Sequence, residues 1–195
     1  MKKITDLSQL DLSKQYTYAD YLTWHFKDRV ELIKGWIYKM SPAPRRIHQK
    51  TSFRISHSLF NLIENKCEIY EAPFDVRLDK NIGQKTEFST VVQPDISIIC
   101  DQSKLDEKGC SGAPDMIVEI LSPSTQKIDT YEKFNLYQEN LVKEYWIVNP
   151  DAKSIEVFAL NDENKYYSVG IYNELDGYTE VPVNIFPELK LSLKD

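Results

Sequence analysis

Two hydrophobic periods alternate along this chain, and the switches between them mark its elements. Over 46–65 the apolar positions Ile47, Phe53 (or Ile55), Leu59, Leu62 and Ile63 recur at helical spacing, which predicts a helix. Upstream, TYADYLTWHFK (17–27) predicts a short helix with Thr17 as its N-cap. RVELIKGWIYKM (29–40) reads as two short strands hinged on Lys34-Gly35, and SPAP (41–44) then breaks the chain. Strand patterns follow at 68–78, 94–100 and 115–121, then a helix over about 125–140 with Phe134, Tyr137 and Leu141 facing inward. EYWIVN (144–149) is an apolar strand, and Asn149-Pro150-Asp151 turns it into SIEVFAL (154–160). Further strands are expected at 165–172 and 183–193, with prolines at edges and ends.

Helix, three strands, helix and strand, with β-rich additions at both ends, predict an α/β (α+β) fold around a central mixed sheet. The 195 residues fit a single domain, with a core over about 46–150, an N-terminal helix and hairpin over 15–41 and a C-terminal β extension over 151–195. An apolar content of 42% and a charged content of 28% are those of a soluble globular protein. The first residues lack the apolar run of a signal peptide, and no window approaches the ~20 apolar residues of a membrane span, so the expectation is cytoplasmic. Cys67, Cys100 and Cys110 are odd in number and form no C-x-x-C, which argues against a disulfide framework and against a zinc ribbon.

Charge is unevenly spread. The total is −6, yet KMSPAPRRIHQKTSFR (39–54) carries Lys39, Arg45, Arg46, Lys50 and Arg54 and no acid, while 161–195 carries seven acids against three lysines. The basic segment is either an ordinary surface or a lip able to meet phosphates.

Two predicted strands each hold a carboxylate. Alternation puts Asp95, Ser97 and Ile99 on one face of the first, and Glu119 with Ile117 and Leu121 on one face of the other. An ionised Glu119 inside an apolar strand costs several kcal/mol unless a cation or donors meet it. If the strands are neighbours, Asp95 and Glu119 converge, and an oxygen-liking divalent cation would relieve their repulsion. Taken singly, Asp95 is also a strand-start residue and Glu119 also a solvent-facing one. Asp115, four residues before Glu119, reads as structural.

VVQPDISIIC, GAPDMIVEILSPST and DTYEKFNLYQENLVKEYWIVNPDAKSIEVF, in that order, resemble the Uma-type endonuclease family of the PD-(D/E)xK, restriction-endonuclease-like superfamily. ELIKGWIYKMSP followed by His48 is similar to that family's N-terminal pattern. The likeness covers about 15–160. It implies a restriction-endonuclease-like core, Mg2+ or Mn2+ as cofactor and DNA as partner. It also implies Asp95, Glu119 and Glu31 as metal-binding acids. The superfamily lysine belongs two residues after the acid, where this chain has Leu121. Within the family pattern the lysine is instead Lys133 on the following helix. Lys133 is also spaced to pair with Asp129 on a helix surface, Glu31 also reads as a surface strand residue, and His48 suits phosphate contact or helix capping equally.

The expectation is therefore a metal-dependent endodeoxyribonuclease with catalytic Asp95, Glu119, Lys133 and Glu31, and with Arg45, Arg46, His48 and Lys50 on the nucleic acid. A homodimer is open, since many double-strand cutters match the two-fold symmetry of the duplex. The alternative is a nucleic-acid-binding or regulatory domain that keeps the fold without turnover. Paired acids also serve glycosidases, but a lysine and a basic entrance favour a phosphodiester. No G-x-S-x-G and no Cys/His pairing supports a nucleophilic hydrolase.

Overall fold

The computed structural model describes residues 3–40, 43–63, 66–78, 89–123 and 128–193. The chain forms α1 (Tyr18–Tyr21), β1 (Val30–Ile33), β2 (Trp36–Lys39), α2 (Arg46–Ile63), β3 (Glu68–Glu71), β4 (Val76–Arg77) and β5 (Val91–Val92). It continues with β6 (Ile96–Ile99), β7 (Leu105–Asp106), β8 (Gly109–Ser111) and β9 (Met116–Ile120). A π-helical stretch, Ile128–Lys133, runs into α3 (Phe134–Glu139). Then come β10 (Glu144–Asn149), β11 (Ser154–Leu160), β12 (Tyr166–Asn173), β13 (Glu180–Pro182) and β14 (Lys190–Ser192).

Two six-stranded sheets result, in the orders β2-β1-β5-β4-β8-β7 and β12-β11-β10-β9-β6-β3. In the second, β9 pairs β10 in parallel and its other pairings are antiparallel, so the sheet is mixed as expected. Alternation decides which core each strand feeds. Ile96, Ile98, Met116, Val118 and Ile120 face α2 through Ile55, Leu59 and Ile63, together with Val181 and Leu191 of β13 and β14. Ile99, Ile117, Leu121, Tyr145 and Ile147 point the other way, into a core shared with Ile33, Val76 and Val92 of the first sheet and with Leu136 and Tyr137 of α3. Burying each such side chain stabilises by about 1.5–3 kcal/mol.

The hairpin of β1 and β2 turns at Lys34-Gly35, where both residues have positive φ (52° and 85°), the pattern of a two-residue hairpin turn. A Cβ on Gly35 would sit 2.8 Å from that of Gln15.

Several expectations change. The helix at 17–27 closes after one capped turn at Tyr21, because Trp24 leaves it to pair with Ile4. On α2 it is Ile55 that is buried, while Phe53 is 65% exposed. The strand at 68–78 splits at 72–75, with β3 in one sheet and β4 in the other. The segment 183–193 yields only β14, which pairs with β13 just upstream of it. The helix expected from 125 begins, among the described residues, with the π stretch at Ile128, and Leu141 lies past its end with φ 65° and an exposed side chain. Residues 41–42 of the predicted break, 64–65 at the end of the helix expected over 46–65 and 125–127 of the next helix lie outside the described residues. Cys67 and Cys100 form a disulfide, against the expectation from the cysteine count. The antiparallel register of β3 on β6, Glu68↔Ile99, carries those two cysteines opposite one another although 33 residues separate them.

Candidate active site

Five elements bring side chains to one open cleft of about 480 Å³. β9 pairs with β6 in the register Ile96↔Val118, so one further step sets Asp95 opposite Glu119 on the same face. Asp95 Oδ2 accepts the backbone N–H of Ile120 at 2.8 Å, which locks the carboxylate across the strand pair. From the first sheet, β1 contributes Glu31, held by the backbone N–H of Gln93 at 2.8 Å. The π stretch contributes Asp129 and Lys133, and α2 contributes His48.

Lys133 lies at the centre. Its Nζ stands 2.8 Å from Glu119 Oε1, 3.0 Å from Glu31 Oε1 and 3.8 Å from Asp129 Oδ1, and only 4% of the residue is exposed. Burial opposes the ammonium charge, but Glu119, Glu31 and Asp129 outweigh it and hold the lysine pKa well above its ordinary value. Burial pushes the Glu119 carboxyl well above the usual range against the pull of Lys133, with Asp129, Asp95 and Glu31 adding to the rise. One ammonium thus faces three carboxyl groups. The i,i+4 contact of Lys133 with Asp129 exists, but it is buried and the longest of the three.

His48 Nε2 sits 3.2 Å from Asp95 Oδ2. Burial draws its pKa down, yet the hydrogen bond and charge of Asp95, with a bond to the Ile120 backbone, win and raise it. Lys39, Arg45 and Gln49 line the same cleft. Arg45 also pairs with Asp151 at 2.6 Å, both being exposed. Arg46 and Lys50 are exposed on α2 and do not line the cleft.

Three participants escaped the sequence reading. Tyr137 donates to Glu119 Oε1 at 2.7 Å from a fully buried position; its four-residue spacing from Lys133 was the available signal, masked by its place in an apolar stripe. Gln93 fixes Glu31 by its backbone and accepts from Arg29 Nη2 at 2.8 Å by its side chain. Arg29 lines the cleft, and its buried Nε has no hydrogen-bond partner among the described residues. Nothing in the local pattern marks Arg29. Leu121, two residues after Glu119, is buried in the core between the sheets. Asp115 stands apart from the cleft, accepting from Cys100 N at 2.8 Å and from Lys143 at 2.6 Å, which fits its structural reading.

A family model described as "Putative restriction endonuclease", Uma2, matches residues 18–194. The chain belongs to the Uma2 family. A relative, "Uncharacterized protein slr1290" of Synechocystis sp., is 27% identical over 151 residues, 75% of each chain. The crystal structure of "a putative nuclease belonging to DUF820" from Anabaena variabilis superposes with a TM-score of 0.65 at 21% identity, covering 85% of this chain and 88% of that one. The Uma2 chain thus has a restriction-endonuclease-like fold. No helix among its described residues is long and apolar enough to cross a membrane.

Proposed function

We propose that this protein is a divalent-metal-dependent endonuclease that hydrolyses phosphodiester bonds in DNA. One observation carries the reading: Asp95, Glu119 and Lys133, drawn from two strands and a helix, line a single cleft that Lys39 and Arg45 also border.

The donor set suits a hard cation. In Glu31, Asp95 and Glu119 the contacts with described residues fall on one carboxylate oxygen each, which leaves the second as a ligand. No group of three or more His, Cys, Asp or Glu among the described residues is arranged to hold a metal. Magnesium needs only one or two carboxylates, because it retains several waters. Asp95 and Glu119 would hold it, with Glu31 as the third acid within reach of the same lysine. A bound cation lowers the pKa of a coordinated water and stabilises charge on the phosphate.

The chain's own residues supply the remaining chemistry. In hydrolysis a water oxygen bonds to phosphorus as the bond to the leaving sugar oxygen breaks, and the phosphoryl oxygens gain charge. Lys133, held cationic by its acids, offsets that charge from within the cleft, and His48, whose pKa Asp95 raises, adds a second donor there. Arg29, with its unsatisfied Nε, offers a further donor to a phosphate oxygen. Gln93 and Tyr137 hold the acids in place.

The non-catalytic alternative has one observation in its favour: Lys133 already pairs with both Glu31 and Glu119, where a metal would sit. Manganese calorimetry together with plasmid cleavage separates the two readings. A nuclease binds the ion and nicks DNA, and Asp95→Asn and Glu119→Gln each lose both properties at least tenfold. Binding unchanged in both variants, or binding with no cleavage by the parent, overturns the proposal.

A further inference from the structure

The outer face of α2 supplies none of the acids, nor the lysine or histidine, of the site just described. This 18-residue helix, about 27 Å long, contains no acid in a chain of net charge −6. Among its exposed positions, Arg46, Lys50, Phe53, His57 and Phe60 recur at steps of three and four, so these five form one stripe. Phe53 and Phe60 are each 65% exposed, and Phe53 also lines the mouth of the cleft. The Phe53 ring stacks on the His57 ring at 5.9 Å between centroids and 9° between planes. His57 is itself steadied by Asn61, 3.0 Å away. A core-facing helix would bury such rings, and α2 already buries its opposite side through Ile55, Leu59 and Ile63.

We infer that this stripe is a stacking platform for unpaired bases, and that the preferred substrate is DNA carrying a single-stranded segment beside the scissile phosphate. Cations spaced along a helix follow a phosphate backbone. An aromatic ring among them accepts the face of any base, a combination characteristic of single-strand binding. A continuous duplex keeps its base faces stacked on each other and has no use for Phe53. The position of Phe53 at the cleft mouth would then hold the unpaired strand next to Asp95 and Glu119. The inference rests on the nuclease reading for the chemistry, but strand preference is measurable without cleavage.

The test is metal-free binding, in EDTA, of fluorescent single-stranded, duplex and 5′- or 3′-flap oligonucleotides of equal length to the full chain. 2-Aminopurine in the unpaired segment reports stacking. Single-stranded and flap DNA should bind about tenfold tighter than duplex, with 2-aminopurine quenched. Phe53→Ala should remove that advantage and the quenching, while Phe53→Trp restores both. Equal binding of duplex and single strand, or Phe53→Ala behaving as the parent, overturns the inference. So does concentration-dependent self-association that Phe53→Ala abolishes without any effect on DNA, which would assign the stripe to a second copy of this chain. Failure of the nuclease reading would look different: single-strand binding with the Phe53 dependence intact, and no cleavage on adding manganese.

Discussion

Glu119 is a buried acid whose cost is met, within the protein, by two donors on one oxygen, Lys133 and Tyr137. Removing one partner of a buried ion pair commonly costs about 3–5 kcal/mol, because the other charge is left uncompensated. Lys133→Met should therefore destabilise the metal-free protein by about that amount and not merely slow it. A divalent cation should recover part of the loss, since it can take over the charge of Glu31 and Glu119. Urea unfolding with EDTA and with manganese measures both quantities. A variant as stable as its parent in EDTA would mean that the acids carry no net charge for Lys133 to offset. At this scale the sequence named Asp95, Glu119, Glu31 and Lys133, because charge inside an apolar strand and an ordered set of motifs are local signals. Tyr137 and Arg29 were hidden, since an aromatic in an apolar stripe and an arginine before a strand have no local signature of what they touch.

Among the elements, β9 and β10 were legible to within a residue or so because a continuous apolar run bounded by turn residues leaves little choice. The two-residue strands β4, β5 and β7 were not, as no period can be read over so short a stretch; their partners across the sheet define them. The same tertiary control makes Asp115 a junction: it joins the end of β6 to the start of β9 through Cys100 N, and reaches Lys143 just before β10. Burial would raise its pKa, but Lys143 and the Cys100 N–H prevail and lower it below the ordinary aspartate value. A depressed carboxylate contributes stability above its unfolded pKa and loses it as the pH falls through the folded one. The stability gap between the parent and Asp115→Asn should accordingly be constant from neutral pH down to about 5 and should shrink below about 3.8. Guanidinium unfolding at a series of pH values tests this, and a gap independent of pH down to acid unfolding would remove the ion pair from the account.

At the scale of the whole molecule, the cleft exists only because the two sheets pack against each other. Glu31 comes from one sheet and Asp95 and Glu119 from the other, with Lys133 bridging them. Sequence patterns describe each sheet's alternation but not which faces meet, so the third acid was reachable only through resemblance. For the nuclease proposed here, the overall charge of −6 would repel DNA, so approach would depend on the local basic segment. Arg46 and Lys50 are exposed on α2, whereas Arg45 shares its charge with Asp151. Neutralising Arg45, Arg46 and Lys50 together should weaken binding to every DNA sequence alike and flatten its salt dependence. Each phosphate contact accounts for about 0.7–0.9 of a unit in the log–log slope. A loss of about two contacts, with Arg45 counting least, lowers the slope by roughly 1.5. Anisotropy titrations across a salt series read that slope directly. If the triple variant keeps the parent's slope, the lip is ordinary surface.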